Sequence, residues 1–544
     1  MTSLRFLDLL VIGLYFAAMV GVGWLFSRRV KTTEGYFVGN RSYPGWVAGV
    51  SLFGAQISSI TFVAYPADAF KTAWLRYLIC LTLPVSVFIA ARYLLPFFRR
   101  GNVTSLFEYL EARFGPKTRI YGASVFLLSQ CIRISMIQYL VALLMHSLTG
   151  WSVPMCLLLG GAVTAYYTIV GGLEAVIWTD VVQSVILTAG GLLILGTIVW
   201  KLPGGLGQLF STAAADGKLL FGEPGADGQI HAIPWGFSLS RKTFVMLLAV
   251  GVIQWLNDYV TNQEVVQRYC AAKSPKDAHR AMWICCWSCL PTWGYFMLVG
   301  TGLYVFYKVF PDPGAAEMLS GASKAEGIVP FFVTTQLGPG FTGLVVAAVL
   351  AAAMSSMSSA MNSISSVAVT DLYKRHLAPN RADAHYIRAA KAITLGSSLI
   401  MIGGAWWLFR AETMTLQHLW TEFQSILAGG LLGLFLLGFL TTRVDGRSVG
   451  IGIGCAVVFS AGMSLVALGF LPADWIKAVE SHFDSYYTGI AGNLLTFAVG
   501  YTVARLFRSP PRGVSNLTLW TRNTNADERI YRPEHRPTAI YPHR

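Results

Sequence analysis

Between positions 351 and 366 the chain reads AAAMSSMSSAMNSISS, a run of hydroxyl side chains inside a segment otherwise as apolar as a lipid-spanning helix. Residues three and four apart are neighbours on a helix, so Ser355, Ser358, Ser359, Asn362 and Ser366 share one face. That face can aim several oxygens at one point. Two charged residues also lie inside apolar stretches: Asp180 in GGLEAVIWTDVVQS and Arg133 in FLLSQCIRISMIQYL. A charge at a bilayer centre costs about 2.5 to 3.5 kcal/mol or more, so each is a functional candidate. A carboxylate with several hydroxyls and carbonyls is an oxygen cage for a hard cation. The planar fork of an arginine suits a substrate carboxylate. Each feature also has a plainer use. Serines serve close helix packing, Asp180 can sit near the interface, and Arg133 can pair with a carbonyl or carboxylate of the chain itself.

The elements that must position these residues are membrane spans. Of the 544 residues 54% are hydrophobic and only 12% charged, and apolar runs of spanning length recur from end to end. This composition reads as a polytopic, all-α membrane protein with a single membrane domain over 1–508. The net charge of +14 sits in the loops and the tail, which fits membrane topology and not nucleic-acid binding. A first span at 4–27 is retained, since no basic segment precedes it and no small-residue cleavage site follows. Twelve more are expected near 44–70, 74–98, 120–148, 152–170, 174–200, 242–269, 280–310, 336–373, 386–409, 414–440, 448–470 and 484–507, making about thirteen. Basic loops alternate with poor ones, which puts the N-terminus outside and the C-terminus in the cytoplasm. The connections near 202–240 and 311–334 then face outward. The tail, 509–544, is rich in Pro, Asn and Arg and is expected to be poorly ordered.

Two spans carry polar interruptions. The second, SLFGAQISSITFVAYPADAF, has Gly54, Gln56, Ser58, Ser59 and Thr61 at its middle and Pro66 beyond; the seventh has the stretch Gln254 to Tyr259. Broken helices at membrane depth are tolerated beside a cavity or a protein partner, and a pair of breaks five spans apart is what two inverted five-helix repeats would give, about 44–200 and 242–440, followed by two further spans. A Gly and Ser packing face with a proline kink is the alternative for the second span. Asp258 and Glu264 are weaker candidates, because the helix there runs into a basic loop starting at Arg268. Cys285, Cys286 and Cys289 are read as small apolar packing. No catalytic dyad, phosphate loop or metal motif stands in a fitting context, which argues against an enzyme. The short tail argues against a transporter-like sensor.

Taken together, YFVGNRSYPGW, SLFGAQISSITF, GGLEAVIWTDVVQ, NQEVVQRY and MSSMSSAMNSISSVAVTDLY resemble the sodium/solute symporter family, with the nearest likeness to its bacterial sialic acid branch. The resemblance runs from about residue 5 to about 508. It implies an inverted-repeat (LeuT-like) fold with discontinuous helices, a multi-pass place in a bacterial inner membrane and function as a monomer. Import of a small organic solute by alternating access is implied, with sodium as the coupling ion and no organic cofactor. The resemblance puts a first sodium site on carbonyls of Gly54, Ile57 and Ala352 with hydroxyls of Ser355 and Ser356. A second would use Asp180, Ser355, Ser358 and Ser359. The sialic acid branch further implies Arg133 on the substrate carboxylate, with Gln56, Ser58 and Thr61 near the sugar acid. Gln56 stands where a smaller hydroxyl residue is usual, and 71–83 is shorter than in that branch; Arg76 is a candidate replacement for a polar ligand there. A symporter for a monocarboxylate, a neutral sugar or an amino acid is the alternative.

Overall fold

In lipid each backbone polar group must be satisfied within its own segment, so long apolar runs become long helices. The computed structural model describes residues 5–27, 32–100, 103–225, 227–410, 430–507 and 514–521. Its helices, in chain order, are α1 (Phe6–Ser27), α2 (Thr33–Val38), α3 (Gly45–Gln56), α4 (Ser59–Lys71), α5 (Leu75–Cys80), α6 (Leu83–Ile89), α7 (Leu95–Arg100), α8 (Phe107–Phe114), α9 (Pro116–Thr149), α10 (Val153–Lys201), α11 (Gly205–Ala215), α12 (Phe244–Thr261), α13 (Gln263–Ala271), α14 (Pro275–Val309), α15 (Pro313–Ser320), α16 (Ile328–Gln336), α17 (Phe341–Val367), α18 (Asp383–Arg410), α19 (Leu431–Leu440), α20 (Gly446–Ala467), α21 (Ala473–Glu480) and α22 (Thr488–Leu506). A small antiparallel hairpin, β1 (Gly222–Pro224) and β2 (Ile230–Ala232), lies between α11 and α12 and pairs Glu223 with His231.

Among the described residues nine helices are long and apolar enough to cross a membrane, or ten when the bent pair α3 and α4 counts as one span. Thirteen is therefore not reached by that measure. Part of the difference is α10, whose 49 residues run about 74 Å at 1.5 Å per residue, enough for two crossings. Its arms meet at Gly172, with φ 56° and ψ −150°, at the boundary expected between the fifth and sixth spans. Only glycine fits there: a Cβ would lie 2.8 Å from the Tyr36 ring and 2.9 Å from its carbonyl oxygen. Residues 411–429, most of the expected 414–440 span, lie outside the described residues.

The serine run is central. α17 packs against α10, α9 and α1, and every residue from Val345 to Val367 is buried. α14 packs on α3 and α4. Cys285, Cys286 and Cys289 are buried in that interface, with the Cys285 and Cys289 sulfurs 3.8 Å apart.

Two ends of the bundle differ in chemistry. On the arginine side Arg113 donates to the carbonyls of Thr441 (2.8 Å) and Val444 (2.9 Å), and Arg119 pairs with Asp371 and Glu111, each at 2.6 Å. These arginines, in the last turn of α8 and the first turn of α9, tie helix ends together. Part of the tail also packs here, contrary to the expectation for 509–544: the Tyr109 hydroxyl donates to the Leu517 carbonyl (2.9 Å) and the Trp520 indole to that of Leu440 (2.7 Å). The remaining tail residues, 509–513 and 522–544, lie outside the described residues.

The hairpin side holds a buried cation. Lys218 is 4% exposed and donates to the carbonyls of Phe70 (2.8 Å) and Thr72 (3.0 Å), at the end of α4. Burial pushes its ammonium from the usual 10.5 down to about 8, with Asp216 opposing. Between about pH 8 and 10.5 the folded chain thus binds fewer protons here than the unfolded chain, so this group adds stability as pH rises through that window. The neutral amine keeps two N–H groups, enough for both carbonyls. Thermal unfolding in detergent is expected to show wild type gaining on the order of 2 kcal/mol over Lys218→Met between pH 8 and 10. Parallel pH curves for the two proteins would contradict it.

Candidate functional site

α3 ends and α4 begins because the chain leaves helical geometry at Ile57 (φ −92°, ψ 112°) and Ser58 (φ −111°, ψ 176°). The two axes differ by 58°. Carbonyls in the last turn of α3 lose their helical partners at such a break. α17 meets them: the Ser355 hydroxyl lies 2.8 Å from the Gly54 carbonyl and 3.2 Å from that of Ala352. The Ser356 hydroxyl lies 3.3 Å from Ala352 and 3.4 Å from Ala55. Gly54 permits the approach of α3 to α10, since a Cβ there would stand 2.9 Å from the Ser184 hydroxyl. Four of the five residues expected at the first ion site, Gly54, Ala352, Ser355 and Ser356, are joined by these contacts. Ile57 is buried at the break, donating its amide to the Phe53 carbonyl (3.1 Å).

Asp180 is fully buried, not interfacial. Its Oδ2 accepts from the Ser51 hydroxyl (2.6 Å) and from Arg268 (3.0 Å), while Oδ1 is buried without a hydrogen-bond partner. Asp180 and Ser359 of the second expected group are therefore joined through Arg268, the residue expected at the start of a basic loop. Arg268 is 0% exposed; besides Asp180 it donates to Ser359, to Ser51 (2.9 Å) and to the Glu264 carbonyl (2.9 Å). Ser358 donates instead to the Ser355 carbonyl (3.1 Å). A signal for Arg268 existed. In NQEVVQR, Glu264 and Arg268 stand one turn apart, as do Gln263 and Gln267, and all nine residues of α13 are buried. Reading a basic residue as a loop marker concealed it.

A second helix break exists, but it lies at Asn262 and not in the expected stretch Gln254 to Tyr259, which is continuous helix within α12. α12 and α13 part at Asn262 (φ −94°, ψ 109°), whose side chain accepts the Glu264 amide (3.0 Å) and donates to Asp258 (2.8 Å). The acids flanking it hold two of the expected substrate residues. Gln56 donates to Asp258, and Arg133 pairs with Glu264 at 2.6 Å and lies 3.4 Å from Gln130. Asp258 and Glu264, the weaker candidates, are thus bonded to two of the expected substrate residues. Ser58, at the break, and Thr61, in the first turn of α4, are buried, 9% and 4% exposed. Gln267 ties this region to the serine run by donating to Asn362 (2.9 Å). Among the described residues no group of three His, Cys, Asp or Glu side chains could hold a metal.

The family model of the sodium:solute symporter family matches residues 36–453, which include both helix breaks, Asp180 and the serine run. The chain belongs to that family. Two curated members with strong similarity are the sodium/sialic acid symporter SiaT of Proteus mirabilis, 30% identical over 92% of this chain and 95% of that protein, and the sodium/sialic acid symporter NanT of Aliivibrio fischeri, 31% identical over 91% and 92%. A solved structure of a Na+-coupled sialic acid symporter in a substrate-bound outward-open state superposes with a TM-score of 0.80 at 30% identity, covering 93% of this chain and 99% of that one. Mhp1, a nucleobase-cation-symport-1 family transporter, shares the fold at a TM-score of 0.50 and 16% identity, covering 88% and 97%. The symporter is thus an all-α membrane protein with the inverted-repeat (LeuT-like) transporter fold, and sodium is its coupling ion.

Proposed function

We propose that this symporter imports sialic acid, N-acetylneuraminate or a related sugar acid, together with two sodium ions by alternating access. The likeness to two sodium/sialic acid symporters along nearly the whole chain supports the solute. The meeting of the Ser355 hydroxyl with the Gly54 carbonyl, and of the Ser356 hydroxyl with that of Ala55, supports the ion coupling. Gly54, Ile57, Ala352, Ser355 and Ser356 hold the first sodium. Asp180, Ser355, Ser358 and Ser359 hold the second, and the unpartnered Oδ1 of Asp180 is the acceptor it satisfies, with Arg268 yielding room. Arg133 receives the solute carboxylate by exchanging Glu264 for it, and Gln56, Ser58 and Thr61 line the sugar.

The protein works in this reading as a monomer in a bacterial inner membrane, by transport and not catalysis, with the hairpin side and N-terminus outward and the C-terminus cytoplasmic. Its membrane domain spans 1–508, with repeats of about 44–200 and 242–440 and two closing spans. Opening the inner side separates α3 from α17, which splits the first ion site. Sodium biases that equilibrium only through its differential affinity for the two states.

The second ion sets the accumulation limit. A tenfold sodium gradient is worth ~1.4 kcal/mol per ion, and 100 mV ~2.3 kcal/mol per net charge. Two sodium ions with a monoanion give ~5 kcal/mol, roughly a several-thousandfold limit; one sodium gives about tenfold. Asp180→Asn is therefore expected to lower the sodium Hill coefficient of uptake from near two toward one. An unaltered coefficient would remove Asp180 from ion binding.

One observation favours a different solute. Arg133 is already neutralised by Glu264, and Gln56 faces Asp258, a set that also suits the hydroxyls of a neutral sugar. Uptake of labelled N-acetylneuraminate, with a neutral sugar as competitor, separates the two readings.

A further inference from the structure

Four residues of α4 and its cap, Ser58, Thr61, Tyr65 and Asp68, follow a spacing of three, four and three, which lines them along one helix face. That face climbs from the helix break towards the hairpin side. Its lower two members stand beside the expected sugar-acid site. Its upper two engage Arg76, from the first turn of α5. The Arg76 guanidinium pairs with the Asp68 carboxylate and lies over the Tyr65 ring, 5.4 Å from its centroid.

Beneath the guanidinium runs an aromatic layer. Tyr65 stacks on Trp293 (6.4 Å, 17° between planes), which stacks on Trp255 (5.0 Å, 26°). Trp255 lies one turn before Asp258, the acceptor of the Gln56 amide. Passing inward, a solute would meet the Arg76 and Asp68 pair, then the rings, then Gln56 and Asp258. The outer pair is also the more open one. Arg76 and Asp68 are 32% and 39% exposed, whereas Arg133 and Glu264 are 21% and 2% exposed.

We infer that Arg76, seated on Tyr65, is an outer receiving subsite for the carboxylate of the transported solute, and that Asp68 is the in-chain carboxylate which the solute displaces. The inference rests on the proposed transport of a sugar acid and adds a second carboxylate station to it. Half-exposed ion pairs contribute little net stability, so exchanging one carboxylate partner for another is nearly isoenergetic. The guanidinium fork, with a ring holding its other face, matches a carboxylate bidentately. Displacement leaves Asp68 free to take water at the vestibule surface. A pair that served only to fasten α5 to α4 would have the opposite mutational sign, because loosening it by either partner would impair transport.

The test is the kinetics of N-acetylneuraminate uptake into sodium-loaded-gradient proteoliposomes. Arg76→Gln is expected to raise KM about tenfold with a smaller change in maximal rate, and Arg76→Lys to recover part of the affinity. Asp68→Asn, which removes the competitor, is expected to lower KM about threefold. A misfolded variant cannot produce that gain, so Asp68→Asn decides even if Arg76→Gln does not fold. Normal wild-type uptake with an unaltered KM in Arg76→Gln, or a raised KM in Asp68→Asn, overturns the subsite alone. Wild-type protein that takes up no N-acetylneuraminate overturns the proposed solute and the subsite with it.

Discussion

Arg268→Met is expected to lower stability by about 3 to 5 kcal/mol, and Asp180→Asn in the same chain to restore most of the loss. Both partners are fully buried, at 3.0 Å. Removing the guanidinium strands the Asp180 carboxylate with the Ser51 hydroxyl as its remaining partner, in a medium where an unpaired charge is costly. The asparagine side chain has nearly the same shape and no charge, so the double variant loses mainly the hydrogen bonds to Ser51, Ser359 and the Glu264 carbonyl. Thermal unfolding in detergent at fixed ionic strength, run as a double-mutant cycle, measures the coupling. If the second sodium binds Asp180, the Arg268→Met loss is also smaller in sodium than in potassium, because the ion replaces the missing cation. Additive single effects would show that the two residues do not act as a pair.

Arg133→Ala is expected to reduce the apparent affinity for N-acetylneuraminate about a hundredfold, the scale of losing a charge-assisted carboxylate contact. The variant also strands Glu264, which is 2% exposed, so part of any loss can be structural. Arg133→Ala with Glu264→Gln removes that stranded charge. The double variant should regain stability while keeping the weak affinity. The methyl ester of the same sugar should be affected far less, since it has no carboxylate to lose. Intact uptake of the acid in the folded double variant would make Arg133 a structural partner of Glu264 and nothing more.

These two ion pairs connect the halves of the transport cycle. Arg268 and Glu264 belong to α13, directly after the Asn262 break, and reach Asp180 on α10 and Arg133 on α9. Gln267, between them, reaches Asn362 on α17. A shift of α13 therefore alters the surroundings of the proposed second ion and of the proposed carboxylate ligand together. That shared element gives sodium and solute a physical means of influencing each other's affinity.

The residues of the proposed ion site stood out because they are polar where lipid-spanning sequence should be apolar. The serine run and Asp180 stood out against their own segments, and both lie at the buried centre of the bundle. The break at Ile57 was legible for a related reason, as a polar cluster at the middle of its span, whereas the seventh span breaks at Asn262, past the polar stretch Gln254 to Tyr259, which stays helical. Arg268 was not legible by the same logic. It lies near the end of its span, where a cation normally marks a loop, and only tertiary packing of α13 against α3, α14 and α17 buries it. Glu264 was undervalued for the same reason. The boundary between the fifth and sixth expected spans, 152–170 and 174–200, coincides with Gly172, where the chain makes a backbone turn open to glycine alone. The packed segment at 514–521 escaped notice because its anchors are backbone carbonyls of α19 and a hydroxyl from α8, partners that composition does not reveal.

The most direct test of sodium-coupled sugar-acid import is accumulation of labelled N-acetylneuraminate in proteoliposomes under an inward sodium gradient, with potassium replacing sodium as the control. The account predicts concentration above the external level in sodium, collapse when a sodium ionophore is added, and no accumulation in potassium. Equal uptake in potassium would contradict the sodium coupling; no uptake in either salt by folded protein, with accumulation of a neutral sugar in sodium, would contradict the solute.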